Sequence, residues 1–239
     1  LDCLIMPKHY RLPTVGKAKG AYYRVIMALV KRRNVYIWGL PGTGKDAFVH
    51  YFSAVTRRPT VMLTFRPGYD ISPWFYARYV DANGTGWEYG HLWRALVSGI
   101  KGKDGKSRAP IVLLSDVDRA DEAQAEWFRI LTDSISGRIL GPDGKMQNLI
   151  VDDFGNKPQF VFTANSCGNG DPRGRMTSAS PIDASIMDRL GRKVEAHYLD
   201  WVDEVEILKL KFPTLPEDIF PQLMGVTASL RDAIEKQNI

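Results

Sequence analysis

Apolar residues in this chain gather into five short runs: "NVYIWG" (34–39), "TVMLTF" (60–65), "PIVLLSD" (110–116), "PQFVFTAN" (158–165) and "RKVEAHYL" (192–199). Short apolar runs of this kind predict buried strands. Between them the spacing changes to helical. Phe48, Phe52 and Val55 recur within 46–55, and Leu92, Trp93 and Leu96 share one face of 89–100. Residues 120–135 predict an amphipathic helix with Ala123, Trp127, Ile130 and Leu131 inward. Strand–helix alternation predicts an α/β fold with a parallel sheet covered on both faces. Two inserts interrupt it. Residues 66–87 are too long for an ordinary strand-to-helix loop. Residues 136–157 carry the turn signal "GPDGK" between strand-like pieces, which predicts a hairpin. From about residue 200 the pattern becomes short helical pieces broken by prolines: "DEVEILKLKF", "PEDIFPQLMG" and "TASLRDAIEK". The expected division is a core over 1–199 and a small helical appendage over 200–239.

Composition adds bounds. The 239 residues suffice for one α/β core with an appendage. Hydrophobic residues at 44% and charged residues at 25% are an ordinary globular balance. The net charge of +5 permits binding to polyphosphate or nucleic acid without demanding either. Cys3 and Cys167 have no paired spacing, so neither a disulfide framework nor a zinc site is supported. His9, His50, His91 and His197 are scattered without ligand spacing and read as surface or packing residues. No apolar run approaches the roughly 20 residues of a membrane span, and no signal-peptide pattern opens the chain. A reducing, cytoplasmic setting is the expectation. The first residue is Leu1 rather than methionine, as expected of a fragment.

The candidate chemistry lies in "WGLPGTGKDAF" (38–48). Gly39 to Lys45 reads as a phosphate-binding loop, G-x-x-x-x-G-K, between a strand and a helix. Gly39, Gly42 and Gly44 let the backbone turn its N–H groups toward phosphate oxygens, and Lys45 is the mobile cation for the outer phosphates. The next residue should be Ser or Thr, whose hydroxyl holds Mg2+. Here it is Asp46. The partner strand should end in Asp-Glu, but "IVLLSDVDRA" (111–120) ends in Ser115-Asp116. Together the two departures keep the inventory and exchange the positions. Asp46 is expected to face Ser115 within hydrogen-bond reach and to hold Mg2+ directly or through water, with Asp116 as the catalytic carboxylate. In the competing register Asp116 takes the metal role and Val117 stands where the base belongs, giving ATP binding with poor hydrolysis.

These residues resemble an AAA+ ATPase of the MoxR-type and dynein-related branch, which includes the ATPase subunit of aerobic cobaltochelatase. The resemblance covers roughly residues 10–205. "YIWGLPGTGKDAF" is similar to the first Walker motif, and "ISPWFYARYVDANGTGWEYGHLWRALVSG" to the family's second-helix insert. "LLSDVDRADEAQ" matches the family's D-E-I-D/N-R-A segment without a gap. "FVFTANSCGNGDPRGRM" (160–176) is similar to the first sensor with its G-x-G-D-x-x-G loop, and "SIMDRLGRK" (185–193) to the L-D-R-F segment.

The resemblance implies a P-loop NTPase three-layer sandwich with a five-stranded parallel sheet and a short helical C-terminal lid. It implies ATP or ADP bound with Mg2+ by Gly39, Pro41, Gly42, Thr43, Gly44, Lys45, Asp46 and Ala47. Asp46, Ser115 and Asp116 would surround the metal, and Asn165 would act as first sensor. Arg189 would reach the γ-phosphate in a neighbouring subunit, and Arg231, in "ASLRDAIEK", would serve as second sensor. The implied assembly is a homo-oligomer, a hexameric ring in this family. The implied partners are a client protein and a von Willebrand A-type domain protein, with the inserts 66–87 and 136–157 as contact points. Arg173 and Arg175, beside Gly168, Gly170 and Gly174, either face a neighbour or the pore or are simply solvated charges.

Three readings of function follow. The first is an ATP-driven machine that remodels or activates a client. The second is a nucleotide-gated structural module with little hydrolysis. The third is an AAA+ factor acting on nucleic acid, compatible with the basic pieces "KRRN" (31–34) and "KGKDGKSR" (101–108). No nucleic-acid-binding motif accompanies those charges.

Overall fold

The computed structural model describes residues 7, 9–82, 84–168, 182 and 184–236. Five strands form the central sheet: β1 (Val35–Trp38), β2 (Thr60–Thr64), β3 (Ile111–Ser115), β4 (Gln159–Ala164) and β5 (Arg192–Glu195). Each falls within one of the five apolar runs. Their order across the sheet is β5-β1-β4-β3-β2, with every pairing parallel. The register sets Val35 opposite both Val161 and Arg192, and Ile111 opposite both Gln159 and Thr60.

The alternation of side chains along each strand divides the core in two. Tyr36, Val112, Leu114, Phe160 and Phe162 point to one face. There they meet α3 (His91–Ser98) and α4 (Glu122–Asp133) through Leu92, Leu96, Phe128 and Leu131. Their neighbours Val35, Ile37, Ile111, Leu113 and Val161 point to the other face. They pack on α1 (Gly16–Val30) and α2 (Lys45–Thr56) through Tyr22, Val25, Leu29, Phe48 and Phe52. Each fully buried side chain of this size stabilises by about 1.5–3 kcal/mol. The result is the expected three-layer sandwich.

Several local expectations need correction. On α4, Ala123 is exposed, and the buried positions are Gln124, Phe128, Leu131 and Thr132. Gln124 goes inside because it closes a capping box with Asp121 and its Nε2 donates to the carbonyls of Arg66 and Tyr69. A satisfied amide can be buried where an alanine need not be. On α2, Val55 is exposed. Helix α1 had no counterpart among the sequence predictions.

The insert over 66–87 contains a short helix, Ser72–Phe75, and a hairpin pairing Tyr76–Asp81 with Gly84–Tyr89. The second insert holds the expected hairpin, Arg138–Leu140 with Met146–Asn148. A third, two-residue pairing joins Ile100–Lys101 to Ser107–Arg108.

The C-terminal pieces form two helices, α5 (Trp201–Lys211) and α6 (Ile219–Lys236). Pro221 does not break α6, because it sits in the first turn, where a backbone N–H has no intrahelical partner. The buried Asp203 of α5 accepts hydrogen bonds from the backbone and hydroxyl of Thr14, tying α5 to the segment before α1. Among the described residues, no helix is long and apolar enough to cross a membrane.

Candidate functional site

The loop between β1 and α2 lies at the C-terminal edge of the sheet. Gly39 hugs β5: a Cβ there would sit 2.4 Å from the Ala196 carbonyl oxygen. Gly44 caps α2 at φ 80°, a left-handed conformation that favours glycine. Three hydroxyls fix the loop, two of them from outside it. Tyr22 donates to the Thr43 carbonyl at 2.7 Å, Thr43 to the Leu40 carbonyl at 2.9 Å, and Tyr198 to the Pro41 carbonyl at 3.0 Å. The loop is thus held with the amino-terminal end of α2 facing the cavity, a geometry suited to anions.

Lys45 lies across this loop. Its Nζ donates to the carbonyls of Gly39 at 2.7 Å and Leu40 at 3.2 Å, and to Asn165 Oδ1 at 3.2 Å. Burial lowers the pKa of its ammonium, while the carboxylates of Asp46, Asp116 and Asp118 oppose that shift.

Beside it, Asp46 receives two hydroxyls. Ser115 Oγ, at the end of β3, donates to one carboxylate oxygen at 2.7 Å. Thr163 Oγ1, on β4, donates to the other at 2.7 Å. Ser115 is buried, and the wall of the cavity here is formed by Asp46 and Thr163.

Asp116 follows Ser115 in a left-handed conformation, φ 55°. It receives a hydrogen bond from Asn165 Nδ2 at 3.3 Å and has Arg119 at 3.9 Å. Desolvation, then the negative charge of Asp46, pushes its carboxyl above the usual carboxylate range. Two residues on, Asp118 is buried, and its Oδ2 accepts the backbone N–H groups of Asn165 at 3.0 Å and Ser166 at 2.9 Å. That pair of bonds fixes the backbone from which Asn165 projects. Loop and strand ends enclose an open cavity of about 420 Å³, with Gly42, Lys45, Asp46, Asp116, Arg119 and Asn165 on its walls.

Two predicted site residues lie apart from this cavity. Arg189 is half exposed and pairs with Asp133 at the end of α4. Arg231, on α6, makes a two-pronged ion pair with Glu204 at 2.5 and 3.1 Å and lies 4.2 Å above the Tyr198 ring. Among the described residues, its link to the phosphate loop runs through Tyr198. Arg173 and Arg175 lie outside the described residues.

Sequence reasoning missed Thr163, Asp118, Arg119 and Tyr198. A signal existed for Thr163, a lone hydroxyl in the apolar run "FVFTAN". For Tyr198, nothing in the local sequence pointed to the loop.

The donor chemistry suits Mg2+. Asp46 and Asp116 present hard carboxylate oxygens at one cavity; desolvation and then the Asp46 charge disfavour ionised Asp116, an effect a divalent cation would relieve. No group of three or more histidine, cysteine or acidic side chains among the described residues forms a self-sufficient metal cluster. Mg2+ at phosphate sites commonly relies on one or two carboxylates plus substrate oxygens.

Fold and site together define a nucleotide-binding domain of the AAA type. The sequence pattern of the AAA domain, dynein-related subfamily, matches residues 34–190, more than half of the chain, and the chain belongs to that family. Among solved structures, a candidate ATPase from Cytophaga hutchinsonii superposes with a TM-score of 0.52 at 14% identity, over 82% of this chain and 51% of that one. NtrX from Brucella abortus, in complex with ADP, superposes with a TM-score of 0.54 at 13% identity, over 87% of this chain and 44% of that one. These likenesses establish the fold. The chain spans about half the length of the solved structures it matches. No curated protein matches it in sequence.

Proposed function

We propose that this chain is the nucleotide-binding core of an ATP-hydrolysing AAA+ machine acting on a client protein. The observation that carries the proposal is the convergence of Lys45, Asp46, Asp116 and Asn165 on one open cavity beside a glycine loop and a helix N-terminus. Backbone N–H groups of 42–45 cradle the phosphates, and Lys45 exchanges its loop carbonyls for the outer phosphate oxygens. Asp46, oriented by Ser115 and Thr163, and Asp116 are the residues that would hold Mg2+, which supplies charge neutralisation when bound. Asn165 and Asp116 position the attacking water, and the raised Asp116 pKa suits a group that takes up its proton. Arg189 is the candidate for a cation supplied to a neighbouring site, because it is exposed and remote from its own cavity. Arg231 reports lid position through Tyr198.

A homo-oligomeric ring, hexameric as its family resemblance implies, would bring Arg189 to the next subunit. The aromatic hairpin 76–89, with Tyr79 and Trp87 exposed, is the surface proposed for the client. A von Willebrand A-type domain protein is the further partner implied by resemblance. A phosphate-release assay on the assembled protein tests the proposal. Activity in the parent that Lys45→Ala abolishes is expected, and equal release by both proteins would overturn it.

One observation favours a second reading, nucleotide binding with slow hydrolysis. Two carboxylates stand at the phosphate site, and both oxygens of Asp46 already accept hydroxyls. Under this reading Mg-ATP binds normally and phosphate release stays at background.

A further inference from the structure

A second cavity, of about 520 Å³, lies at the opposite, N-terminal edge of the sheet, between the ends of α1 and α2. Four arginines line it: Arg32, Arg57, Arg58 and Arg108. The one carboxylate on its wall, Asp152, pairs with none of them. Its oxygens accept instead from the backbone N–H groups of Ala109, Phe154 and Asn156 and from the Asn156 side chain.

Each arginine can be followed to its partners. Arg58 is buried and fixed, donating only to neutral oxygens: Gln159 Oε1 at 2.7 Å and the carbonyls of Lys157 at 2.9 Å and Pro110 at 3.3 Å. Burial and then the nearby charge of Arg32 bring its pKa down to about 10, against the smaller opposing pull of the Asp152 carboxylate. Arg32 donates to the Asn156 amide oxygen, again a neutral group. Arg57 is exposed and has no side-chain partner among the described residues. Of the four, among the described residues, Arg108 alone has a carboxylate partner, Asp104, and it also lies 5.1 Å from the Phe154 ring. The carboxyl ends of α1 and α2 oppose this field, but each is worth only about half a negative charge. Arg32, Arg57 and Arg58, none in an ion pair among the described residues, outweigh the two helix ends even with the single charge of Asp152 counted.

We propose that this cavity is a second anion site, distinct from the phosphate loop, and that it takes a phosphate-bearing ligand. Guanidinium forks suit both carboxylate and phosphate. Cations that approach from α1, α2 and the 100–108 hairpin converge from different directions, which matches the several oxygens of a tetrahedral phosphate better than the two of a planar carboxylate. The apolar side of the cavity, Leu29 and Phe52, and the Phe154 ring leave room for an organic part of the ligand. The inference does not depend on the ATPase reading.

Titration calorimetry with pyrophosphate, on the full chain and on Lys45→Ala and Arg57→Glu variants, tests it. Lys45→Ala is expected to retain pyrophosphate binding, because the second site is intact. In the Lys45→Ala background, Arg57→Glu is expected to weaken that binding by about ten-fold or more, and Arg57→Lys to restore part of it. Arg57 is exposed and unpaired, so its replacement tests the site without emptying the core; thermal melts confirm that each variant folds. Loss of all binding in Lys45→Ala, or indifference to Arg57→Glu, would overturn the proposal. Equal binding of citrate would overturn the phosphate assignment.

Discussion

Ser115 Oγ donates to Asp46 Oδ2 at 2.7 Å across the junction of β3 and α2. A hydroxyl and a carboxylate face each other here with their sequence positions exchanged relative to the motif. The exchange has a structural consequence that sequence could not supply: Thr163 takes up the second oxygen at 2.7 Å, so Asp46 is held from two strands. Ser115→Ala is therefore expected to destabilise the fold by about 1.5–3 kcal/mol, the range for a hydrogen bond to a charged group. Denaturant unfolding of the two proteins measures it, and equal midpoints would show that the bond does not hold Asp46.

Asp118 holds the end of β4 through the backbone N–H groups of Asn165 and Ser166. Asp118→Ala would leave the N–H groups of Asn165 and Ser166 buried without an acceptor, at a cost of about 1–3 kcal/mol each if no water replaces it. The expected outcome is a marked drop in melting temperature. Asp118→Asn, which retains an acceptor oxygen, should recover much of it. A melting curve for the alanine variant that overlays the parent's would remove Asp118 from this role.

The pH dependence of Asp116 has a definite sign. Its folded pKa is raised above the unfolded value by desolvation and by Asp46. The folded state therefore favours the protonated form. The stability this group contributes is present below the ordinary carboxylate pKa of about 3.9 and is lost as pH rises through the raised folded value. Asp116→Asn carries no charge at any pH. In the absence of divalent metal, it is expected to be more stable than the parent at pH 7, with the gap narrowing as pH falls through the carboxylate range. A pH-independent gap would contradict the electrostatic account.

Tyr198 couples the phosphate loop to α6. Its hydroxyl holds Pro41 while Arg231 lies over its ring. Tyr198→Phe keeps the ring and loses the loop contact, so it should weaken nucleotide binding more than it lowers stability. A double-mutant cycle of Tyr198→Leu and Arg231→Met, read in denaturant, should give a coupling of about 0.5–1 kcal/mol. Additive effects would mean that the stacked geometry carries no energy.

Much of this architecture was legible because burial and period agree. The centres of "PIVLLSD" and "PQFVFTAN", 111–114 and 160–162, are continuously apolar because β3 and β4 are buried on both faces. The phosphate loop was legible because its backbone demands glycine. Helix α1 was not, since Gly16 and Gly20 and the scattered Ala18, Ala21 and Ala28 blur its apolar face. Helix α6 was split after Gly225, between "PEDIFPQLMG" and "TASLRDAIEK", where the helix in fact runs through without a break. The pairing of Asp46 with Ser115 was inferable from chemistry. The contacts of Thr163, Asp118 and Tyr198 were not, because they join residues brought together only by strand order and by the fold of the C-terminal segment.

The central claim is that a nucleotide triphosphate rests on the 39–45 loop with Lys45 on its outer phosphates. Calorimetric titration of Mg-ATP into the parent and into Lys45→Ala tests it most directly. The account predicts saturable binding by the parent and a loss of about ten-fold or more in affinity for the variant, the scale of a charge-assisted contact. No binding by the parent, or the same affinity in both proteins, would contradict it.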